Sequence, residues 1–501
     1  MKRQLTGLSM AAAIALTTGP LAAETPSRDR IAAKVDAQHD GTVKALQDWV
    51  ALPTIAAEKR GTPEGADYMK QLALDAGFQQ AKIIPTDGVP AVFATLDAGA
   101  KTTVGIYFMY DVKQFDPAEW NSPPLEAKLV DRQGEGVSIV GRGVVNQKGP
   151  QMAFLAAIKA IQASGRKLPV NLVLVAEGEE EVASTHFDQV VAVPEVQAAL
   201  SKAIGVFIPS ANQNRDGSAG ITLGAKGAVE FQLVVGGETS DKYPKTDIHS
   251  SNYARIESPA WRLVKALDSL VADDGHTPAI DGWFENVQPL TARQKELIAQ
   301  GAKPEQEAQD KALLGVGRWI NDEDYVTSLE RFFSQPTVNI QGLVSGYTGE
   351  GGKTVLPGRA EAKLEFRLVP NMSKNEAVTK LRAHLAKRGF DDVQVTVSGG
   401  YGPNETAEDS ALIRAQKRLF DEKGIPYTIR PRNAGSWPGV VFNGPPLNLP
   451  ASQFGLGRGG GAHAPNEWFL IESSDPKVYG LDEVTMAYVD YLYALAEEAG
   501  K

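Results

Sequence analysis

The sequence predicts an α/β protein, a mostly parallel sheet flanked by helices and interrupted by a separate α+β domain. Three observations lead there. Up to about residue 210, continuous apolar runs of strand length alternate with amphipathic helical runs, the texture of a two-sided parallel sheet. After about Gly227 the texture shifts to alternating strands accompanied by two helices, which describes an antiparallel sheet covered on one face. From about residue 401 helix-and-strand material returns, so the first domain resumes after an insertion. No self-similarity at a period of roughly 20–50 residues points to a repeat architecture.

The elements follow in order. Residues 1–23, "MKRQLTGLSMAAAIALTTGPLAA", have a cationic start at Lys2-Arg3, a short apolar run and small residues before Glu24, which together describe a secretory signal peptide. The run is too short to span a bilayer, and no other stretch approaches roughly 18 uninterrupted apolar residues. The mature chain is therefore expected to be exported, periplasmic or secreted, with no membrane partner. In 24–226 the strand "TVGIYFM" is followed by a helix over Pro150–Ala163 and by the strands "PVNLVLVAEG" and "AIGVFIP". Ligands of such sheets sit beyond the carboxyl ends of the strands, which is where Asp111, Glu180, Glu181 and Ser210 fall. Over 227–400 come "VEFQLVVGG", a helix near Ser258–Leu270, a charged insertion, "AEAKLEFRLVP" and a helix after Asn375. Residues 401–501 end in the helical "LDEVTMAYVDYLYALAEEAG".

Composition narrows the function. The chain has 501 residues, 43% hydrophobic and 22% charged, with Lys+Arg 51 against Asp+Glu 61. A net charge of −10 without a basic tract argues against nucleic acid as a partner. With no cysteine, disulfides, thiolate metal sites and cysteine nucleophiles are excluded, so a metal must rest on His, Asp and Glu.

Three short stretches carry candidate chemistry. "FMYDVKQFDPAEWNSPP" (108–124) delivers Asp111 at a strand end, the layout of a metal site, yet Met109 stands two residues before it where a ligand is expected. "AEGEEEVAS" places Glu180 and Glu181 side by side at another strand end, where one carboxylate can bind metal while its neighbour works on water. A solvated acidic turn is the plainer alternative. "GAHAPNEWF" sets His463 among small residues that let backbone approach a site closely. Of the other five histidines, His249 is taken up below, His186 stays open, and His39, His276 and His384 sit in polar or helical contexts. "AGSWPG" and Trp468 point to an aromatic wall near the site. "GLGRGGG" lacks the helix and acidic partner of a dinucleotide loop, "GYTGEGGKT" has Tyr347 where a phosphate loop needs glycine, and no G-x-S-x-G elbow is present.

Taken together, the pieces resemble the zinc-dependent exopeptidases of peptidase family M-twenty, of the carnosinase and carboxypeptidase-G type. "MYDVKQFDPAEWNSPP", "GRGVVNQKGP", "AEGEEEVAS", "TDIHSS", "GYTGEGGKTVLP", "EFRLVP" and "AHAPNEW" stand in the family's order and spacing. The resemblance implies a catalytic domain in two parts, 24–226 and 401–501, interrupted by a lid and dimerisation domain over 227–400. It implies a homodimer acting on a dipeptide-like or other small substrate with a free carboxylate. The family's first zinc is held at the positions of Met109, Asn146 and Ser210, the middle one bridging. Its second zinc shares the bridge and adds Glu181 and His463. By the same resemblance Glu180 is the general base, Asp111 orients the ligand histidine, His249 reaches across the dimer to the oxyanion, Arg367 grips the substrate carboxylate, and Thr354 and Ser436 add contacts.

The departures are concentrated. Met109, Asn146 and Ser210 are neutral and hold dications poorly, while Glu181 and His463 survive, so one zinc per chain at most is expected. Without its ligand histidine, Asp111 is expected to pair locally with a cation. The function expected is an exported amide or peptide-bond hydrolase of the dipeptidase, carboxypeptidase or N-acyl amino acid hydrolase type. The alternatives are a non-hydrolytic relative that binds a carboxylate-bearing ligand, and metal-free chemistry in the same pocket.

Overall fold

A computed structural model describes residues 28–501; the signal-peptide reading of 1–23 lies outside them. The central sheet has six strands, ordered Gln80–Ile84, Ala91–Leu96, Asn171–Glu177, Thr103–Met109, Ala203–Pro209 and Ala451–Phe454. The last four run parallel, and the first two form an antiparallel edge. The continuous apolar runs arise because helices cover both faces, leaving Val104–Met109 buried throughout. Helix Gly149–Ala163 begins with Pro150 in its first turn, where a missing N–H costs nothing. It packs between the helices Arg28–Val50 and Leu481–Glu498. Phe154 ties the layers together, its ring 6.1 Å from Phe108, 5.5 Å from Phe207 and 5.6 Å from Tyr488, each edge-on.

A second, antiparallel sheet was not announced by the sequence pattern. It pairs Lys128–Arg132, Gly136–Val140, Trp468–Ser473 and Gly459–Gly460. It joins two local hairpins, 128–140 and 459–473, that are more than 300 positions apart, so only tertiary pairing reveals the sheet. It brings the loop of His463 and the buried Glu467 to the parallel sheet's open end.

The interrupting unit is built on a four-stranded antiparallel sheet ordered Thr337–Ser345, Arg359–Leu368, Gly227–Gly236 and Gln394–Tyr401. Helices Pro259–Asp268 and Lys374–Lys387 cover one face and enclose a core of its own around Phe231, Phe366, Leu381 and Trp283. Within the same span, helix Ala292–Gly301 packs instead on the strand Tyr427–Arg430. In the central strand Ala228 lies opposite both Arg367 and Tyr401, so these three residues share a row and face the same side. A Cβ on Gly399 would come within 2.9 Å of the Ala183 Cβ and 3.0 Å of the Val182 carbonyl oxygen. Gly400 N–H donates to the Ala183 carbonyl at 3.2 Å. The sheet thus rests directly on the turn that carries Glu180 and Glu181.

Candidate active site

Three neighbouring parallel strands end together and deliver the acidic residues to one place. Thr103–Met109 leads into Asp111, Asn171–Glu177 into the turn Glu180–Val182, and Ala203–Pro209 into Ser210. A cavity of about 290 Å³ opens there, lined among others by Met109, Asn146, Glu180, Ser210, Ser436 and His463. A wider cleft of about 910 Å³ lies beside helix Pro304–Leu314, but no histidine lines it.

Asp111 builds the acidic turn. It is buried and accepts the backbone N–H groups of Glu180 at 3.1 Å and Glu181 at 3.0 Å. The ion pair expected for it is not formed: its partners are backbone donors, and burial followed by the nearby Glu181 charge pushes its carboxyl up to about 8. A carboxyl sealed at the sheet end meets no mobile cation, so N–H groups satisfy it instead. Glu177 beneath it accepts Tyr107 Oη at 2.7 Å and Ser184 Oγ at 3.0 Å, and burial drives it well above the carboxylate range. Glu180 is raised too, by burial first and then by Glu181 and Asp111. Four carboxyl groups from two neighbouring strand ends meet here, and burial with their mutual charge favours the uncharged forms of Asp111, Glu177 and Glu180.

Glu181 is the hub on the open side. Its Oε2 lies 3.1 Å from His463 Nε2, and its Oε1 accepts Asn146 Nδ2 at 2.8 Å. Asn146 Nδ2 is also 3.0 Å from His463 Nε2. The three side chains that the family resemblance assigns to one metal position therefore converge. They come from three separate loops. Glu467, which sequence reasoning passed over, holds the Asn146 loop: its carboxylate accepts from Gly143, Val145 and Asn146 N–H and pairs with Arg142 Nη1 at 2.9 Å.

The donor set decides what cations fit. Met109 is buried at the strand end, and Ser210 Oγ accepts Asn212 Nδ2 at 2.7 Å. Neither brings negative charge, and among the described residues no group of three or more His, Cys, Asp or Glu is placed to hold a metal. Glu181, His463 and the Asn146 side-chain amide are the groups that would hold a cation at this position. Asn146 Oδ1 now accepts Gln147 Nε2 at 3.0 Å, while Gln147 Oε1 is buried with no partner. Turning both amides about would keep that bond, as Asn146 Nδ2 to Gln147 Oε1, but would give up the Asn146 Nδ2 bonds to Glu181 and His463, so its oxygen would face them only across a bound cation.

The substrate contacts implied by the resemblance divide into two groups. Arg367 Nη1 donates to Ser436 Oγ at 2.6 Å, beside an ion pair with Glu365, and Ser436 lines the cavity. His249 and Thr354 are not in this cavity. Both are exposed, side by side on the short ladder of Ile248–His249 with Val355–Leu356, and His249 Nδ1 bonds Ser251 Oγ at 2.8 Å. Trp437 lines the cavity as an aromatic wall, but Trp468 does not. Trp468 lies in the antiparallel sheet with the Arg132 guanidinium 4.1 Å from its ring centroid.

The remaining histidines serve structure. His186 Nδ1 pairs with Glu179 at 2.7 Å, His39 with Asp482 at 3.0 Å, and His384 is buried against the Ser269 carbonyl. Two residues near the site carried no sequence signal taken up above. Lys113 Nζ donates to the Glu181 carbonyl at 2.6 Å and lies 3.6 Å from Glu181 Oε2. Tyr401, in the row with Arg367, has a phenol held well above its usual range, by burial first and then by Glu180 and Glu177.

The profile of peptidase family M20/M25/M40 matches residues 110–485. Among similar proteins is Cys-Gly metallodipeptidase DUG1 of Saccharomyces cerevisiae, 25% identical over 465 residues that cover 87% of this chain and 92% of that one. The human Beta-Ala-His dipeptidase is 26% identical over 411 residues, covering 77% and 78%. The crystal structure of the M20 family metallo-carboxypeptidase Sso-CP2 from Sulfolobus solfataricus superposes with a TM-score of 0.79 at 30% identity, covering 91% of this chain and 98% of that one.

Proposed function

The chain belongs to peptidase family M20/M25/M40, and from that premise we propose that it is an exported hydrolase of peptide or amide bonds. Its substrates are dipeptide-like and carry a free carboxylate, and it uses at most one metal ion. The observation that carries this reading is that Glu180 and Ser436 wall one cavity, with Arg367 bonded to Ser436.

Each residue has a definite task. Arg367 offers a planar fork to the substrate carboxylate and sets the scissile carbonyl against Glu180. Glu180 accepts the proton of the attacking water and returns it to the leaving amine. Burial, then the Glu181 and Asp111 charges, raise its affinity for a proton. Glu181, His463 and the Asn146 side chain would hold a single cation, which when bound would polarise the carbonyl and make the attacking water more acidic. Trp437 walls the cavity with apolar surface.

A homodimer completes the reading. His249 and Thr354 stand together on a ladder facing solvent, where they are offered to a second copy. The edge strand Thr337–Ser345 exposes Ile340, Leu343 and Val344, the kind of edge that is ordinarily covered.

The experiment is a kinetic panel of dipeptides and N-acyl amino acids, with chelated and zinc-loaded protein. Hydrolysis that disappears with chelation is expected. Arg367→Ala should raise KM for carboxylate-bearing substrates by about 10–100-fold, since a charge-assisted bond contributes about 1.5–3 kcal/mol, and spare substrates amidated at that end. Ligand binding with no turnover across the panel would move the reading to a non-hydrolytic relative, which the neutral Met109, Asn146 and Ser210 favour. For export and assembly, mass spectrometry of the periplasmic fraction should find a mature chain starting at Glu24, and light scattering twice its mass. An intact Met1 start, or a monomer, would remove those parts.

A further inference from the structure

The crowding of acidic groups at the open end of the parallel sheet has a fixed counterweight beside Glu181 that the family resemblance does not assign. Asp111 comes from one strand end and Glu177, Glu180 and Glu181 from the neighbouring one, and Asp111 accepts the backbone N–H groups of Glu180 and Glu181. Of the ion pairs found among the described residues, Glu181 makes two, with His463 and with Lys113. Lys113 leaves the same strand end as Asp111, two residues on, and its ammonium is pinned by the Glu181 carbonyl oxygen at 2.6 Å, with the carboxylate 3.6 Å away. Its side chain is 36% exposed and Glu181's is 3% exposed. The charge therefore stands at the rim and faces a carboxylate with little solvent to screen it.

We propose that Lys113 is a resident cation, covalently part of the chain, that balances the Glu180/Glu181 pair where a second metal ion would otherwise be needed. Lys113 is a positioning residue: it acts through Glu181 and lines no part of the cavity. Three neutral residues, Met109, Asn146 and Ser210, leave the site short of ligands, and an ammonium fixed beside Glu181 removes the need for a second dication. The same ammonium repels a dication approaching Glu181 and His463, so it weakens the cation site that remains. The inference rests on the roles given to Glu180 and Glu181 above.

The test is zinc affinity of the full-length chain stripped of metal, measured against a chromophoric chelator, for wild type, Lys113→Met, Lys113→Gln and Lys113→Arg. Removing the charge should tighten zinc binding roughly tenfold or more, the factor equivalent to about 1.4 kcal/mol. Lys113→Arg should bind zinc like wild type. Lys113→Gln keeps a donor for the Glu181 carbonyl without the charge, so it separates electrostatics from packing should Lys113→Met fold poorly. On the dipeptide panel the two neutral variants should keep KM within about twofold, as expected when the Arg367 anchor is untouched. Zinc binding that is unchanged, weaker or undetectable in both neutral variants overturns the proposal. Failure of the reaction assignment looks different: no substrate turns over in any variant, while the zinc comparison still reads out.

Discussion

Glu180→Gln is expected to lower kcat by about 10²–10⁴-fold, the range that a positioned proton acceptor supplies, while leaving KM and zinc binding close to wild type. The amide keeps the shape of the side chain and cannot take a proton from water. Glu181, His463 and Asn146, which make the cation site, are untouched by the change. Glu180 lines the cavity, whereas Glu181 is turned to His463, Asn146 and Lys113, so the two neighbouring carboxyl groups should give opposite phenotypes. Glu181→Gln should lose zinc first and activity as a consequence. The measurement is steady-state kinetics beside elemental analysis of the same preparations. A Glu180→Gln protein with unimpaired turnover would mean that another group handles the proton, and the assignment of the base would be withdrawn.

The triple change Met109→His, Asn146→Asp, Ser210→Asp should raise bound zinc from at most one to two ions per chain. It returns an imidazole and two carboxylates to strand ends and a loop that already face the cavity. Without metal the same variant should be less stable than wild type, because two carboxylates join the four already crowded there and unpaired buried charge is costly. Zinc should then restore it, with the melting temperature climbing as metal is added: a ligand at a hundred times its Kd contributes about 2.7 kcal/mol. Elemental analysis and thermal melts with and without zinc decide the matter. If the variant folds and still takes one zinc, the three positions do not form a common ligand set.

Much of this site could be read from the chain because its chemistry is local. Glu180 and Glu181 are adjacent, and Met109 and Asp111 sit on a strand whose apolar run is unmistakable, so strand ends and acidic residues were legible together. Helices such as Gly149–Ala163 matched their expected extents for the same reason. The role of Asp111 was misread because a salt bridge and a backbone anchor look alike in sequence; the difference is burial, which depends on what packs above. Glu467 was invisible as a site residue, since its partners Arg142, Gly143 and Val145 are more than 300 positions away. The antiparallel sheet that brings it there joins segments equally remote. Lys113 and Tyr401 were missed for a further reason: Lys113 meets Glu181 from the neighbouring strand end at the rim, and Tyr401 approaches from the interrupting sheet, and neither placement shows in sequence.

The close seating of Gly399 and Gly400 on the acidic turn bears on how the molecule moves. With the Gly400 N–H tied to the Ala183 carbonyl, and no room for a side chain between sheet and turn, any displacement of the interrupting sheet is transmitted to the segment that carries Glu180 and Glu181.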